Sequence, residues 1–195
     1  TSAAMEASGG QPFPVSFAPH AVDDVFQPAD GARFRDLIDV PRDAYLVGIV
    51  AANYGTRIYD RKGWSDMSAA AARFMAAHPD AYLYVHTLQK THDGIDLPLR
   101  FQFAGIPADR LRWADQYAIK KLLVGDDQMA EIYSSFDVLL NTSRGEGFGL
   151  PGIEAQACGT PVILSNWTAQ TELVADHPWN GSLAAERHPS GWLVS

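Results

Sequence analysis

Cysteine occurs once among the 195 residues, at Cys158. An intramolecular disulfide is therefore excluded, and no Cys/His spacing suits zinc. Such usage fits a reducing, cytoplasmic setting. Long apolar runs are also missing, since nothing approaches the roughly 18 apolar residues of a membrane span. The opening TSAAMEASGG lacks the basic-then-apolar order of a signal peptide, and residues 1–16 read as a disordered or tag-like lead. Positive charge is scarce, with 15 Lys and Arg against 23 Asp and Glu and a formal net charge of −8. A field of that sign repels nucleic-acid phosphates, so no nucleic-acid partner is expected. It leaves room for one local cationic pocket. There is no internal repeat and no low-complexity tract.

What is present is an alternation of apolar runs and helical patterns, in a length suited to one domain. Residues 11–44 are rich in Pro and Asp and read as a lead-in segment without a strand–helix unit. YLVGIVAA (45–52) is a continuous apolar run, as expected for a strand buried on both faces. Residues 65–78 read as a helix stopped by Pro79, and 81–87 as a second strand. A short helix over 97–105 and a short strand over 110–114 follow. A helix over 127–135 is capped by Asp126 or Asp127, and DVLLNT (137–142) is a strand. A helix over 150–157 has Pro151 near its start and Gly159 just past its end. A strand (161–165), a helix (168–175) and a last strand (191–194) complete the series. Strands alternating with helices predict an α/β fold, a mostly parallel sheet with helices on both faces. The chain stops at a strand with no covering helix, which suggests a fragment of something larger.

In an open parallel sheet, ligands sit beyond the carboxyl ends of the strands. The strand DVLLNT delivers the chain to SRGEGFGLP (143–151), whose three glycines let backbone approach a ligand. A helix beginning near Leu150 points its free amides into that loop, an arrangement suited to phosphate or pyrophosphate. Glu146 and Glu154 flank the anion site with seven residues between them. Carboxylates near a pyrophosphate are costly unless they face hydroxyls and a cation is close. A nucleotide-sugar meets that condition, with ribose on one side of the phosphates and a hexose on the other. A glutamate in a first helical turn is, by itself, more often a dipole-favoured surface residue, and a glycine-rich loop is more often a turn.

The stretch EGFGLPGIEAQACGTPVI closely resembles the E-x7-E signature of retaining glycosyltransferases of family 4. LVGIVAANYG with DRKGW resembles the first strand and phosphate loop of that family's donor domain, HPDAYLYVHT its second strand, and FAPHAVDDVFQP the linker ahead of it. The resemblance runs in order over about residues 17–174. It implies a GT-B enzyme, two Rossmann-like domains with a cleft between them. On this reading 17–44 is the interdomain linker and 45–195 the nucleotide-sugar-binding domain, truncated at its C-terminus. The N-terminal acceptor domain is absent.

The resemblance also implies roles. Glu154 binds the ribose hydroxyls, and Glu146 contacts hydroxyls of the transferred sugar. Gly147 and the amides of Phe148, Gly149 and Leu150 hold the pyrophosphate and sugar. Lys62 neutralises the developing diphosphate charge. An arginine partners Lys62; the loop Asn53–Arg61 is longer than usual, so Arg61 or Arg57 fills that place, with Arg61 favoured. Asn53, Thr87 and Gln116 are expected at the donor, with Asp115 and Tyr117 beside the base and Thr168 and Glu172 closing the pocket. For each of these an ordinary loop role is the competing reading. His20, His86 and Cys158 read as structural. The implied activity is transfer with retention from a nucleoside-diphosphate sugar, with no metal or other cofactor. The acceptor is open: glycan, lipid or small molecule. Contact with a membrane surface through the full-length protein fits as well. Rival readings are a sugar-nucleotide epimerase of the same fold, a phosphorylase-like enzyme with pyridoxal phosphate, and a binding or regulatory module without transfer.

Overall fold

The computed structural model describes residues 20–55, 59–173, 181–188 and 191–194. The lead 1–16 and Arg57 lie outside the described residues. The chain builds one seven-stranded sheet. Its elements are α1 (Gly31–Leu37), β1 (Leu46–Val50), α2 (Trp64–Ala77), β2 (Tyr82–His86), α3 (Leu97–Ala104), β3 (Leu111–Trp113), α4 (Gln116–Lys120), α5 (Asp126–Ser134), β4 (Val138–Asn141), α6 (Leu150–Ala157), β5 (Val162–Asn166), β6 (Gly181–His188) and β7 (Gly191–Val194). The spatial order is β3-β2-β1-β4-β5-β6-β7. All neighbours pair in parallel as far as β6, and β7 runs antiparallel to it.

The strands are apolar throughout because both faces are covered. Along β1, Leu46 and Val50 face one core, together with Tyr84, Leu139 and Val162 of neighbouring strands and with α1, α5 and α6. Val47 and Ile49 face the other, with Leu83, Val85 and Leu140 and with α2 and α3. Gly48 sits between them because a Cβ there would lie 2.2 Å from the ring of Phe136. The α/β reading and the mostly parallel sheet with helices on both faces hold. None of the described helices is long and apolar enough to cross a membrane.

Five local expectations differ, the first being β6, which forms where the sequence marks no strand. Helix α1 lies inside the stretch read as an irregular lead-in. Its seven residues are capped by Asp30, whose carboxylate accepts the Ala32 amide, and are held by Arg35. That guanidinium is buried and donates to the Ser135 and Ala44 carbonyls and to Asp137 Oδ2. Helix α4 occupies a stretch read as loop; Asp115 caps it by accepting the amides of Tyr117 and Ala118. The N-cap of α5 is Gly125, and Asp126 and Asp127 stand in its first turn. After β5 the chain forms a five-residue 3-10 turn, Thr168–Glu172, in place of the α-helix read over 168–175. Thr168 enters it at φ 55°, a left-handed conformation that a β-branched residue rarely adopts.

Candidate functional site

The strand order reverses between β1 and β4, which continue in sequence on opposite sides of the sheet. The crevice above such a point is where open α/β sheets hold ligands. Two loops meet there, the exit of β1 through residues 59–63 and the exit of β4 through 142–149.

Backbone contacts lock these loops together. The Arg144 amide donates to the Arg61 carbonyl at 2.7 Å, and Ser143 Oγ donates to the same oxygen at 3.1 Å. Gly63, at φ 69°, comes so close to β4 that a Cβ would stand 2.4 Å from the Thr142 carbonyl oxygen. Arg144 reaches back to Asp66 of α2, with Nε and Nη2 at 3.0 and 2.7 Å from Oδ2.

This scaffold brings three of the sequence-read residues into contact. Lys62 Nζ donates to Glu146 Oε1 at 2.6 Å, and both side chains are largely withdrawn from solvent, 11% and 8% exposed. Arg61 Nη1 donates to the Gly145 carbonyl at 2.6 Å and stands 3.7 Å from Glu146 Oε2. Two cations thus converge on one carboxylate. The Glu146 amide in turn donates to Thr168 Oγ1 at 3.2 Å. Thr168 therefore joins the β5 exit to the glycine loop.

Two helices, α2 and α6, begin at these loops, and among the described residues the first amides of α2 have side-chain acceptors while those of α6 do not. At α2 the orphan amides of Trp64 and Ser65 are accepted by the Asp60 carboxylate at 2.8 and 2.7 Å. At α6 the N-cap is Gly149 in the left-handed region, with no side-chain cap and with Pro151 at the helix start. The amides of Phe148, Gly149 and Leu150 find no acceptor among the described residues. Free amides at a helix N-terminus suit an anion. Gly149 also permits a close approach, since a Cβ there would touch Leu173 and Gln170 at 3.2 and 3.3 Å.

Glu154, one turn into α6, points to α5. Its Oε2 accepts the Tyr133 hydroxyl at 2.7 Å. Burial raises its pKa above the usual carboxylate range, opposed by that hydrogen bond and assisted by the nearby charge of Asp126.

Asn53 and Gln116 are engaged with backbone. The Asn53 carboxamide is fully buried and donates to the Leu88 and Ile95 carbonyls while accepting the Ile95 amide. Gln116 accepts the Gln89 amide and donates to the Thr87 and Ala114 carbonyls. Thr87 is buried, and Tyr117 is exposed. The Asn53 and Gln116 carboxamides hold together the loops that follow β1, β2 and β3. His86 is pushed down to about 4 by burial, its Nδ1 lying 3.0 Å from the Tyr84 hydroxyl. The ring of His20 packs against Phe148 of the glycine loop at a centroid distance of 4.9 Å. Cys158 is buried in the core and pushed up to about 11. Among the described residues no group of three or more His, Cys, Asp or Glu could hold a metal ion.

The sequence reading missed Tyr133 and gave Thr168 no partner. A tyrosine in an amphipathic helix carries no local mark of a carboxylate waiting on another element.

Residues 70–193 match the family described as glycosyl transferases group 1. Over 180 residues the chain is 31% identical to a D-inositol 3-phosphate glycosyltransferase of Stackebrandtia nassauensis, a match that covers 85% of this chain and 36% of that relative. The chain thus spans little more than a third of the relative's length. In fold it is similar to the C-terminal domain of a group 1 glycosyl transferase of Francisella tularensis, with a TM-score of 0.65 and 24% identity over 84% of this chain and 80% of that one. It is similar as well to the Anabaena protein HepE crystallised with UDP-glucose, with a TM-score of 0.61 and 20% identity over 82% of this chain and 40% of that one.

Proposed function

This chain belongs to the glycosyl transferases of group 1, and from that membership we propose that it binds a nucleoside-diphosphate sugar for transfer with retention of configuration. The observation that carries the reading is the meeting of Lys62, Arg61 and Glu146 at the exits of β1 and β4, beside the open N-terminus of α6. The cations and the free amides supply fixed positive charge where a diphosphate would leave. Such groups need no reorganisation as charge develops, which is why they favour a transition state over a ground state.

In this reading the diphosphate lies against the amides of Phe148, Gly149 and Leu150. Lys62 turns from Glu146 to the phosphate oxygens when the donor binds, and Arg61 stands beside it. Glu146, released from Lys62, accepts hydroxyls of the sugar. Glu154 accepts the ribose hydroxyls through its open oxygen. Asn53, Thr87 and Gln116 frame the base end by fixing the loops that surround it. The acceptor attacks from the face the diphosphate leaves, and its site belongs to a preceding domain of the same protein. No metal or other cofactor takes part. UDP-glucose in the Anabaena neighbour illustrates the ligand class.

Calorimetric titration of UDP, GDP and ADP, and of their glucose conjugates, into the 195-residue chain tests the reading. Saturable binding of at least one nucleoside diphosphate, weakened tenfold or more by Lys62→Ala, is expected (about 1.4 kcal/mol per tenfold). Failure of all of them to bind would reject it.

A further inference from the structure

The Tyr133 ring is buried among aromatic neighbours, with Phe26 and Phe136 at centroid distances of 6.1 and 6.3 Å. Its backbone carbonyl accepts the Thr160 hydroxyl at 2.6 Å, so ring and main chain are both fixed without help from the phenol oxygen. That oxygen is nevertheless delivered to Glu154 Oε2 at 2.7 Å. Only 1% of Tyr133 is exposed, so the hydroxyl has no solvent to fall back on. The other oxygen of Glu154, Oε1, has no partner among the described residues.

We propose that Tyr133 is a positioning residue that holds the Glu154 carboxylate in the plane from which it grips the ribose diol of the donor. This rests on the reading of Glu154 given above and adds a residue to it. The terminal torsion of a glutamate is broad and, left alone, is fixed by nothing local. A carboxylate can engage two neighbouring hydroxyls only in a narrow range of that torsion. One strong donor on Oε2 sets the plane, and each carboxylate oxygen still has a lone pair for a ribose hydroxyl. A rigid phenol does this at no rotamer cost, because its ring is already held by the core. Ordering before binding is what converts contacts into affinity.

The same contact tunes protonation. The groups facing Glu154 are Tyr133 and Asp126 from α5 and Cys158 from its own helix. Burial and Asp126 raise its pKa, and the phenol opposes them. Without the hydroxyl, Glu154 protonates at a higher pH, and a protonated acid loses one of its two acceptor sites for the diol.

Tyr133→Phe keeps the ring and removes only the donor. The test measures whichever of UDP, GDP and ADP the chain binds most tightly, beside its 2′,3′-dideoxy analogue, in wild type, Tyr133→Phe and Glu154→Gln across pH 4.5–8. Wild type should prefer the ribose form about tenfold. Glu154→Gln should abolish the preference. Tyr133→Phe should reduce it to about threefold or less, leave the dideoxy affinity unchanged, and move the acid limb of ribose-form binding to higher pH. If wild type shows no preference, or binds none of the three, the ribose reading of Glu154 falls and the proposal with it. If Glu154→Gln loses the preference while Tyr133→Phe keeps it in full, the ribose reading stands and the positioning role is refuted. Equal weakening of both ligands in Tyr133→Phe also refutes it, because packing alone then accounts for the residue.

Discussion

Lys62 and Glu146 stand 84 positions apart in the chain and meet at 2.6 Å where the loops leaving β1 and β4 converge. This carboxylate is the counterion of the ammonium. On the proposed reading, a diphosphate competes with Glu146 for Lys62 as the donor binds.

The first prediction follows from that competition. Lys62→Ala should weaken nucleoside-diphosphate binding tenfold or more, whereas added salt should weaken the wild type only mildly. The net charge of −8 repels the ligand at long range, and salt screens that repulsion along with the attraction in the pocket. Lys62→Arg should not restore affinity, because a planar fork does not occupy the place of a point charge. Titration of the three proteins at low and high ionic strength checks each part.

A second prediction concerns the partner. Glu146→Gln removes the competing charge and leaves Lys62 withdrawn from solvent without its counterion, which costs on the order of 3 kcal/mol when a buried pair is broken from one side. The variant should melt below the wild type. A nucleoside diphosphate should raise its melting temperature by more than it raises that of the wild type, since the ligand then supplies the missing anion. The sugar-bearing donor should bind it less well than the free diphosphate does. An equal ligand-induced shift in both proteins would show that Glu146 and the phosphates do not share Lys62.

Gly63 supplies a third. At φ 69° and 2.4 Å from the Thr142 oxygen, a Cβ is opposed both by the backbone conformation and by backbone atoms that have no rotamer to escape into. Gly63→Ala should cost roughly 2 kcal/mol or more and separate the two loops that carry Lys62 and Glu146. Denaturant melts and nucleotide titration should deteriorate together. A variant that is destabilised yet binds normally would separate the turn from the site.

Acid should weaken binding in a defined window. The pKa of Glu154 is raised by burial, against the Tyr133 hydrogen bond, so its charge is lost as pH falls through a value above that of an ordinary glutamate. Binding through the carboxylate should decline over that interval and be full above it. The sign for the fold is opposite. A carboxyl whose folded pKa is raised holds more protons folded than unfolded, so its own contribution to stability grows as pH falls there. The ratio of nucleoside-diphosphate binding to that of its 2′,3′-dideoxy form, taken between pH 4.5 and 8, should fall on the acid side in wild type and stay flat in Glu154→Gln, because the terminal phosphate, which itself titrates near pH 6, does so equally in both ligands.

Parts of this architecture are legible in the chain and parts are not, for physical reasons. β1, β2 and β4 are continuous apolar runs because both faces are covered, and periodicity alone marks them. The glycine loop and the start of α6 announce themselves through Gly149 and Pro151. Helix α1 is different, since seven residues cannot hold a helix by propensity. It exists through Arg35 and its acceptors on distant elements. β6, with the sequence GSLAAERH, lacks the apolar run that reveals a strand. The turn at Thr168 is set by a hydroxyl that accepts from Glu146, a contact no local pattern encodes. Asn53 and Gln116 show the limit of residue type as a guide. A polar side chain at a strand exit can serve a ligand or a loop, and here both carboxamides are occupied by loop backbone.

Arg35 gives the last prediction. Its guanidinium satisfies the Ser135 and Ala44 carbonyls and pairs with Asp137 at 2.7 Å, and Asp137 also accepts the Leu46 amide. Arg35→Met should leave the Ser135 and Ala44 carbonyls unpaired and lower stability by about 2–4 kcal/mol, with a visible fall in melting temperature. Arg33→Met, on the exposed neighbour, should change stability by no more than about 0.5 kcal/mol.

The seating of α1 also has a mechanical meaning. Gly31 rests directly on the main chain at Ser134 and Ser135, where a Cβ would find the Ser134 oxygen at 2.4 Å, and the Ala29 amide is tied to Ser134 Oγ at 3.0 Å. With Arg35 bolting the other side of the helix to the start of β4, residues 31–44 form a bracket on the sheet. Load placed on this unit is passed to α5 and to the start of β4, because those are the elements it is tied to.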